Sequence, residues 1–224
     1  MLLKLQKKSS NDFTLNDSLN TLLKAGKILP VLEEFYSIQG EGFNTGRAAY
    51  FIRVGGCDVG CRWCDAKETW NANQISPVPI KIIVEHAASN PSRAIVVTGG
   101  EPLQYNLDLL CEKLKQNKII RFLETSGSLP FSGSWDWICL SPKKESPPLP
   151  EAFKVANEMK VIIYHTDDFS WAEENKKKVD KNVNLYLQPE WSRRKIIIPE
   201  IIRYVKQNPI WKISLQSHKY MHIP

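Results

Sequence analysis

The chain has little cysteine, no long apolar run and no repeats. Only five cysteines stand among its 224 residues. Nothing near its start resembles a secretory signal, so a disulfide framework is not expected. No apolar run approaches the roughly 20 residues that cross a bilayer, so no membrane partner is expected. Low-complexity tracts are missing as well. Composition is otherwise ordinary for a globular chain, with 42% hydrophobic and 24% charged residues. The length suits one domain with a core of its own. Free thiols and the missing leader point to the cytoplasm. The formal charge of +6 is spread thinly, in short runs at Lys7-Lys8, Lys143-Lys144, Lys176–Lys178 and Arg193–Lys195. A nucleic-acid footprint would be a stripe with interleaved aromatics. No nucleic-acid partner is therefore expected, although the charge can help attract anionic ligands.

Three of the five cysteines fall within eight residues, Cys57-Asp-Val-Gly-Cys61-Arg-Trp-Cys64. Three thiolates can hold three irons of a [4Fe–4S] cluster and leave the fourth iron open, whereas clusters that only carry electrons normally have four protein ligands. An open iron can chelate a small molecule. Zinc is the bland alternative, but a structural zinc takes four ligands and no fourth Cys or His lies nearby. Cys111 and Cys139 stand in the apolar contexts Leu-Leu-Cys and Trp-Ile-Cys-Leu and read as buried structural residues. Arg62 and backbone amides are candidates to balance the cluster's negative charge.

Along the chain, strand-like and helix-like segments alternate. Strands are expected near 48–54, 94–98, 119–124, 136–140, 159–164, 184–187 and 211–215. Helices are expected near 79–89, 105–117, 151–156, 168–178 and 197–207. Such alternation implies a parallel sheet with crossover helices. The Pro-rich segment 141–150 reads as a loop. Residues 1–27 are polar, with a weak helical pattern in Leu15, Leu19, Leu22 and Leu23, and read as an N-terminal extension to a domain spanning 28–224. The cysteine loop follows the first of these strands. Ala94-Ile-Val-Val-Thr-Gly-Gly-Glu-Pro102 ends in a glycine pair that can bring backbone close to a ligand.

The three-cysteine loop, an aromatic (Trp63) just before its last cysteine, and a Gly-Gly-Glu-Pro segment after the next strand resemble the radical S-adenosylmethionine (SAM) superfamily. A narrower resemblance lies in Glu34-Phe-Tyr-Ser-Ile-Gln-Gly-Glu-Gly42, Gly46-Arg47 and Phe51-Ile-Arg-Val-Gly-Gly-Cys57. Thr98–Pro102, Glu124-Thr-Ser-Gly127, Ser141-Pro-Lys143, Leu187-Gln-Pro189 and Ser214–Pro224 continue it. Together these resemble the 7-carboxy-7-deazaguanine synthases over about residues 28–224. The resemblance implies an α/β fold: an incomplete parallel β/α barrel of about six strands, the radical SAM core. Ligands in such barrels sit at the carboxyl ends of the strands.

The resemblance also implies a chemistry. Cys57, Cys61 and Cys64 would hold the [4Fe–4S] cluster, and SAM would supply a hydrogen-abstracting radical. Trp63, Cys64 and Asp65 would lie by the adenine and Gly100 by the amino-acid part. Ser141, Pro142 and Lys143 would reach the ribose side, with Ser126 and Gln188 as further contacts. The substrate would be 6-carboxy-5,6,7,8-tetrahydropterin, met by Ile38, Gln39, Gly40, Glu41, Arg53, Thr98, His218 and the Pro224 carboxylate. Arg53 would take its carboxylate, where a planar fork suits two oxygens. Ring contraction with loss of ammonia would give 7-carboxy-7-deazaguanine, with SAM regenerated. The implied partners are an electron donor such as flavodoxin or ferredoxin and a second copy of the chain in a homodimer. Mg²⁺ is the third implied cofactor. The family pattern, however, has Asp-Thr after the last cysteine and this chain has Asp65-Ala66, so one hydroxyl ligand is missing. Two competing readings are a glycyl-radical activase, against which the Gln-Gly-Glu-Gly and His-Lys-Tyr segments speak, and a non-catalytic iron–sulfur module, against which the Gly-Gly-Glu-Pro segment speaks.

Overall fold

The computed structural model describes residues 18–224. Residues 1–17, with Leu15 of the expected N-terminal helix, lie outside the described residues. The rest of that expected extension begins with a short helix, α1 (18–24), whose Leu19 is exposed. Nine strands form one sheet: β1 (Ile28–Ile38), β2 (Ala48–Val54), β3 (Pro77–Pro79), β4 (Ala94–Gly99), β5 (Ile120–Thr125), β6 (Trp137–Leu140), β7 (Glu158–Ile163), β8 (Asn184–Pro189) and β9 (Trp211–Ile213). Their order is β3-β1-β2-β4-β5-β6-β7-β8-β9. From β2 to β9 every neighbour pair is parallel, while β1 pairs antiparallel with β2 and β3. Among the described residues the sheet does not close, and β3 and β9 stand at its two edges. The parallel part has seven strands, rather than the expected six or so.

The crossover helices are α2 (Ile80–Ser89), α3 (Asp108–Gln116), α4 (Pro150–Val155), α5 (Asp168–Lys176) and α6 (Arg194–Gln207). A short α7 (Ser217–Met221) closes the chain. Helices cover one face because strand side chains alternate. Ile52, Val54, Ile95, Val97 and Leu123 point outward into one core under α2 and α3. Met159, Val161, Leu185, Leu187 and Trp211 form a second core with α4, α5 and α6. The alternate residues point inward. Near the amino ends they are apolar, with Ala49, Phe51, Val96 and Phe122 in one cluster. One step further along these three strands they turn polar, at Arg53, Thr98 and Glu124, and β7 and β8 add inward-facing Lys160 and Gln188. The carboxyl end of the sheet thus becomes a site, while Phe51, Val96 and Phe122 plug the other end of β2, β4 and β5.

Candidate active site

The polar inward residues line a cavity of about 260 Å³ at the carboxyl ends of the strands. Every loop expected to carry chemistry leads into it. Of the residues that the resemblance gives as cluster, SAM or substrate contacts, all but Pro142 line its wall. Pro142 is buried beneath Ser141 and Lys143 instead.

The cysteine loop leaves β2 at Val54 and is anchored by backbone. Gly56 N donates to Thr69 O at 2.6 Å, and Glu101 N donates to Gly56 O at 2.8 Å. Tyr105 Oη donates to Gly55 O at 2.8 Å. Cys61 is buried and Cys57 and Cys64 are half-buried. Burial pushes the Cys61 thiol up to about 11, although Lys143 pulls the other way. Burial also raises Cys57. Loading iron here must therefore release protons. Lys143 is the cation beside the loop and lies 5.9 Å from the Trp63 ring. Arg62, the sequence candidate for that role, is exposed and does not line the cavity.

The glycine pair after β4 has a structural reason that the sequence left out. A Cβ on Gly100 would sit 2.0 Å from Gly56 O, and one on Gly99, at φ +126°, would sit 2.3 Å from Val54 O. The pair docks β4 against the root of the cysteine loop as well as opening onto the cavity. Glu101 is almost fully buried. Its carboxylate accepts from Leu103 N, Thr125 Oγ1, and the Ser126 amide and hydroxyl. The Ser126 hydroxyl is thus committed to Glu101 at 2.5 Å.

The opposite wall comes from the turn after β1 and from the chain's end. Ser217 N and Oγ both donate to Gly40 O at 2.9 Å. Gln216 Nε2 donates to Glu41 at 2.9 Å and lies 3.3 Å from Asp65. Lys219 donates to Asp65 at 2.5 Å. Ser37 Oγ donates to the Pro224 oxygen at 3.0 Å. His218 packs on Gly40 so closely that a Cβ there would stand 2.2 Å from its Nδ1. Burial pushes the His218 imidazole down, against the pull of Glu41. Replacing Gly40 with alanine should therefore displace His218 and lower kcat/KM by about 10- to 100-fold, the cost of a misplacement near 1 Å. Iron content should not change. Native kinetics in that variant would show that the His218 position is unimportant.

Arg53 reaches the cavity from β2, and its Nε donates to Glu33 across the antiparallel pair at 2.5 Å. Gln188 is buried, accepts from Ser214 Oγ at 2.6 Å and bonds Glu41, so it stands with the Glu41 group. The sequence reading missed Lys160, Glu124, Gln216 and Trp191, which also line the cavity. For Lys160 a signal existed: one lysine at an inward position of the apolar strand Met159-Lys-Val-Ile-Ile163, the same sign that marked Arg53. Cys139 is buried as expected, but on the inward face. It pairs with Glu158 in register and lines a small second cavity with Glu124. Cys111 is buried within α3, with its sulfur against Gly133.

No three His, Cys, Asp or Glu side chains among the described residues are arranged to hold a metal ion. A four-iron cluster takes each thiolate on a different iron and does not need that convergence. Three thiols on one cavity wall, with the other two cysteines elsewhere, fit the donor set of such a cluster. Mg²⁺ fits less well. Ala66 offers no side-chain oxygen, and the neighbouring Asp65 carboxylate is already engaged by Lys219 and Gln216.

The radical SAM superfamily model matches residues 51–183. A 7-carboxy-7-deazaguanine synthase of Flavobacterium psychrophilum is 51% identical over 94% of this chain and all of its own length. One from Synechocystis is 43% identical over 87% of this chain and 93% of its own. The crystal structure of QueE from Escherichia coli superposes with a TM-score of 0.75 at 28% identity, covering 88% of this chain and 97% of that one.

Proposed function

This chain belongs to the radical SAM superfamily and, within it, to the 7-carboxy-7-deazaguanine synthase family, and from that premise we propose how its residues divide the work. The reaction is the ring contraction of 6-carboxy-5,6,7,8-tetrahydropterin to 7-carboxy-7-deazaguanine with loss of ammonia, a step towards queuosine. The observation that carries the assignment of roles is that three thiols and a set of fixed donors and acceptors face one another across a single cavity.

Cys57, Cys61 and Cys64 hold the [4Fe–4S] cluster, which together with SAM supplies the hydrogen-abstracting radical. Trp63, Asp65, Gly100 and the Ser141–Lys143 segment bind SAM beside it. Lys143, whose amino group also bonds Ser141 Oγ at 2.6 Å, is the cation facing the thiolates; burial lowers its pKa and Cys61 pulls it back up. Glu101 braces the Ser126 turn that forms the adjoining wall. Arg53 takes the substrate carboxylate by exchanging its Glu33 partner for it. The backbone of 38–40, Thr98 and Glu41 bind the ring, and His218 and Pro224 close over it and exclude water.

A one-electron donor of the flavodoxin or ferredoxin type completes the system, and the reading places it in the cytoplasm. No helix among the described residues is long and apolar enough to cross a membrane. We propose a homodimer as well. Among the described residues no strand lies beside the outer edge of β1 beyond Pro30, and this strand carries exposed Tyr36, the kind of edge that proteins usually cover. Light scattering that gives a monomer would remove this part.

Anaerobic reconstitution followed by mass analysis of the product formed from the pterin tests the assignment. Product at the mass of 7-carboxy-7-deazaguanine supports it, and SAM cleavage without any pterin product would overturn it. Mg²⁺ dependence should be weaker than in a relative with Asp-Thr. The variant Ala66→Thr should tighten the metal response, because its hydroxyl would offer Mg²⁺ a ligand that a water would otherwise have to supply. An equal Mg²⁺ threshold in both forms would make Ala66 irrelevant.

A further inference from the structure

Lys160 is the most buried cation in the cavity, with a side chain only 4% exposed. It stands on β7 between two carboxylates that come from distant parts of the chain. One is Glu41, from the turn after β1, with which Lys160 forms a close ion pair. The other is Glu124, on β5, at 3.5 Å. The two carboxylates are bound in the same manner. Each gives one oxygen to Lys160 and the other to a glutamine amide, Gln216 for Glu41 at 2.9 Å and Gln39 for Glu124 at 2.8 Å. A carboxylate has about four acceptor sites, so both keep acceptor capacity, and both face the cavity.

The charge balance points the same way. Burial alone would raise the Glu41 carboxyl, but the Lys160 charge and hydrogen bonds from Lys160, Gln216 and Gln188 bring it down to about 2. Burial opposes the Lys160 charge, yet Cys139, Glu124, Glu41 and Glu158 around it hold it well above its ordinary value. Glu158 is pushed the other way, up, by burial. Glu41 and Glu124 thus share one fixed cation. A lysine held cationic in this way is a poor proton donor. Its work is to keep two acceptors aimed where they would otherwise repel each other or turn away.

We propose that Lys160 is a positioning residue that holds Glu41 and Glu124 as a paired acceptor set for N–H donors of the substrate ring. The proposal rests on the reading above that this cavity takes a tetrahydropterin, whose amino group and ring nitrogens carry such donors. Glu124 then touches substrate directly, and Lys160 acts through the carboxylates.

The test uses the reconstituted holoenzyme. Lys160→Met alone leaves two cavity carboxylates without their shared cation and can fail to fold. The double variant Lys160→Met with Glu124→Gln keeps the net charge of the group. Glu124→Gln alone keeps the Lys160–Glu41 pair, and its part-exposed position protects folding. The expected result is a pterin KM raised about 10-fold in Glu124→Gln and about 100-fold in the double variant, one and two decades of lost binding respectively. SAM affinity, iron content and kcat at saturating pterin should stay near native. A purely structural role would instead lower kcat and SAM binding through a smaller active fraction. That pattern, or a pterin KM within threefold of native in Glu124→Gln, would overturn the proposal. A native preparation that does not convert the pterin removes the premise as well, whereas native turnover beside unchanged variant KM removes the pairing alone.

Discussion

Changing Cys57, Cys61 or Cys64 to alanine, one at a time, is expected to abolish both the cluster and turnover. Iron should fall from about four per chain to near zero after reconstitution, because no spare thiol can take the vacant corner. Cys111 and Cys139 are the only other cysteines. One packs on α3 and the other faces inward near Glu158, and neither lines the main cavity. The folded chain should survive the change. The loop around the cysteines is anchored by backbone bonds from Gly56 and Glu101 and by the Tyr105 hydroxyl, none of which needs a thiol. Circular dichroism and the unfolding midpoint of the iron-free variants should therefore match those of the iron-free native protein. Cys111→Ala and Cys139→Ala should keep iron and activity. Full iron and native turnover in any of the first three variants would sink the cluster assignment.

Much of this architecture was legible in the chain because short strands buried on both faces announce themselves as apolar runs. Seven such runs fall within a residue or two of strands β2 and β4 to β9, and the helices between them follow. Two strands were not read. Residues of β1 carry Glu33-Glu34 in their middle, and a register shift between Val31 and Glu33 breaks the alternation that would have marked a strand. Residues of β3 are Pro-Val-Pro, and proline cannot donate to a ladder, so only an edge position admits it. The site was legible where residues cluster in sequence, as in the cysteine loop, the glycine pair and the tail. It was obscure where a contact joins distant strands. Nothing local says that Lys160 meets Glu41, 119 residues away, or that Gln216 reaches Asp65. Sequence neighbours misled in one instance: Arg62 is beside the cysteines in the chain but turned to solvent, while Lys143 arrives from the loop after β6.

Residues appended after Pro224 are expected to raise the pterin KM by about 100-fold while leaving SAM binding near native. Chain ends are commonly loose unless tied down, and this one is tied at every few residues. Ser217 holds Gly40, Gln216 holds Glu41, and Lys219 holds Asp65. Tyr220 meets the Trp191 ring edge-on at 5.2 Å, and His222, at φ +55°, turns the last residues back. Pro224 thereby reaches Ser37 and the cavity wall. A terminal carboxylate there is acceptor-only and charged, matching adjacent N–H donors on a pyrimidine edge. An added residue converts it to an amide carbonyl, which removes the charge and one acceptor oxygen. Two hydrogen bonds to a charged group, at about 1.5 kcal/mol each, account for a change of about two decades in affinity. The added chain must also leave a closed wall, which would loosen His218 over Gly40. The SAM side, built from the cysteine loop, Gly100 and the segment after β6, shares only Asp65 with this tail, so its affinity should hardly move. The control is the same tag placed before Met1. A C-terminally tagged enzyme with the KM of the N-terminally tagged one would show that the tail does not close the site.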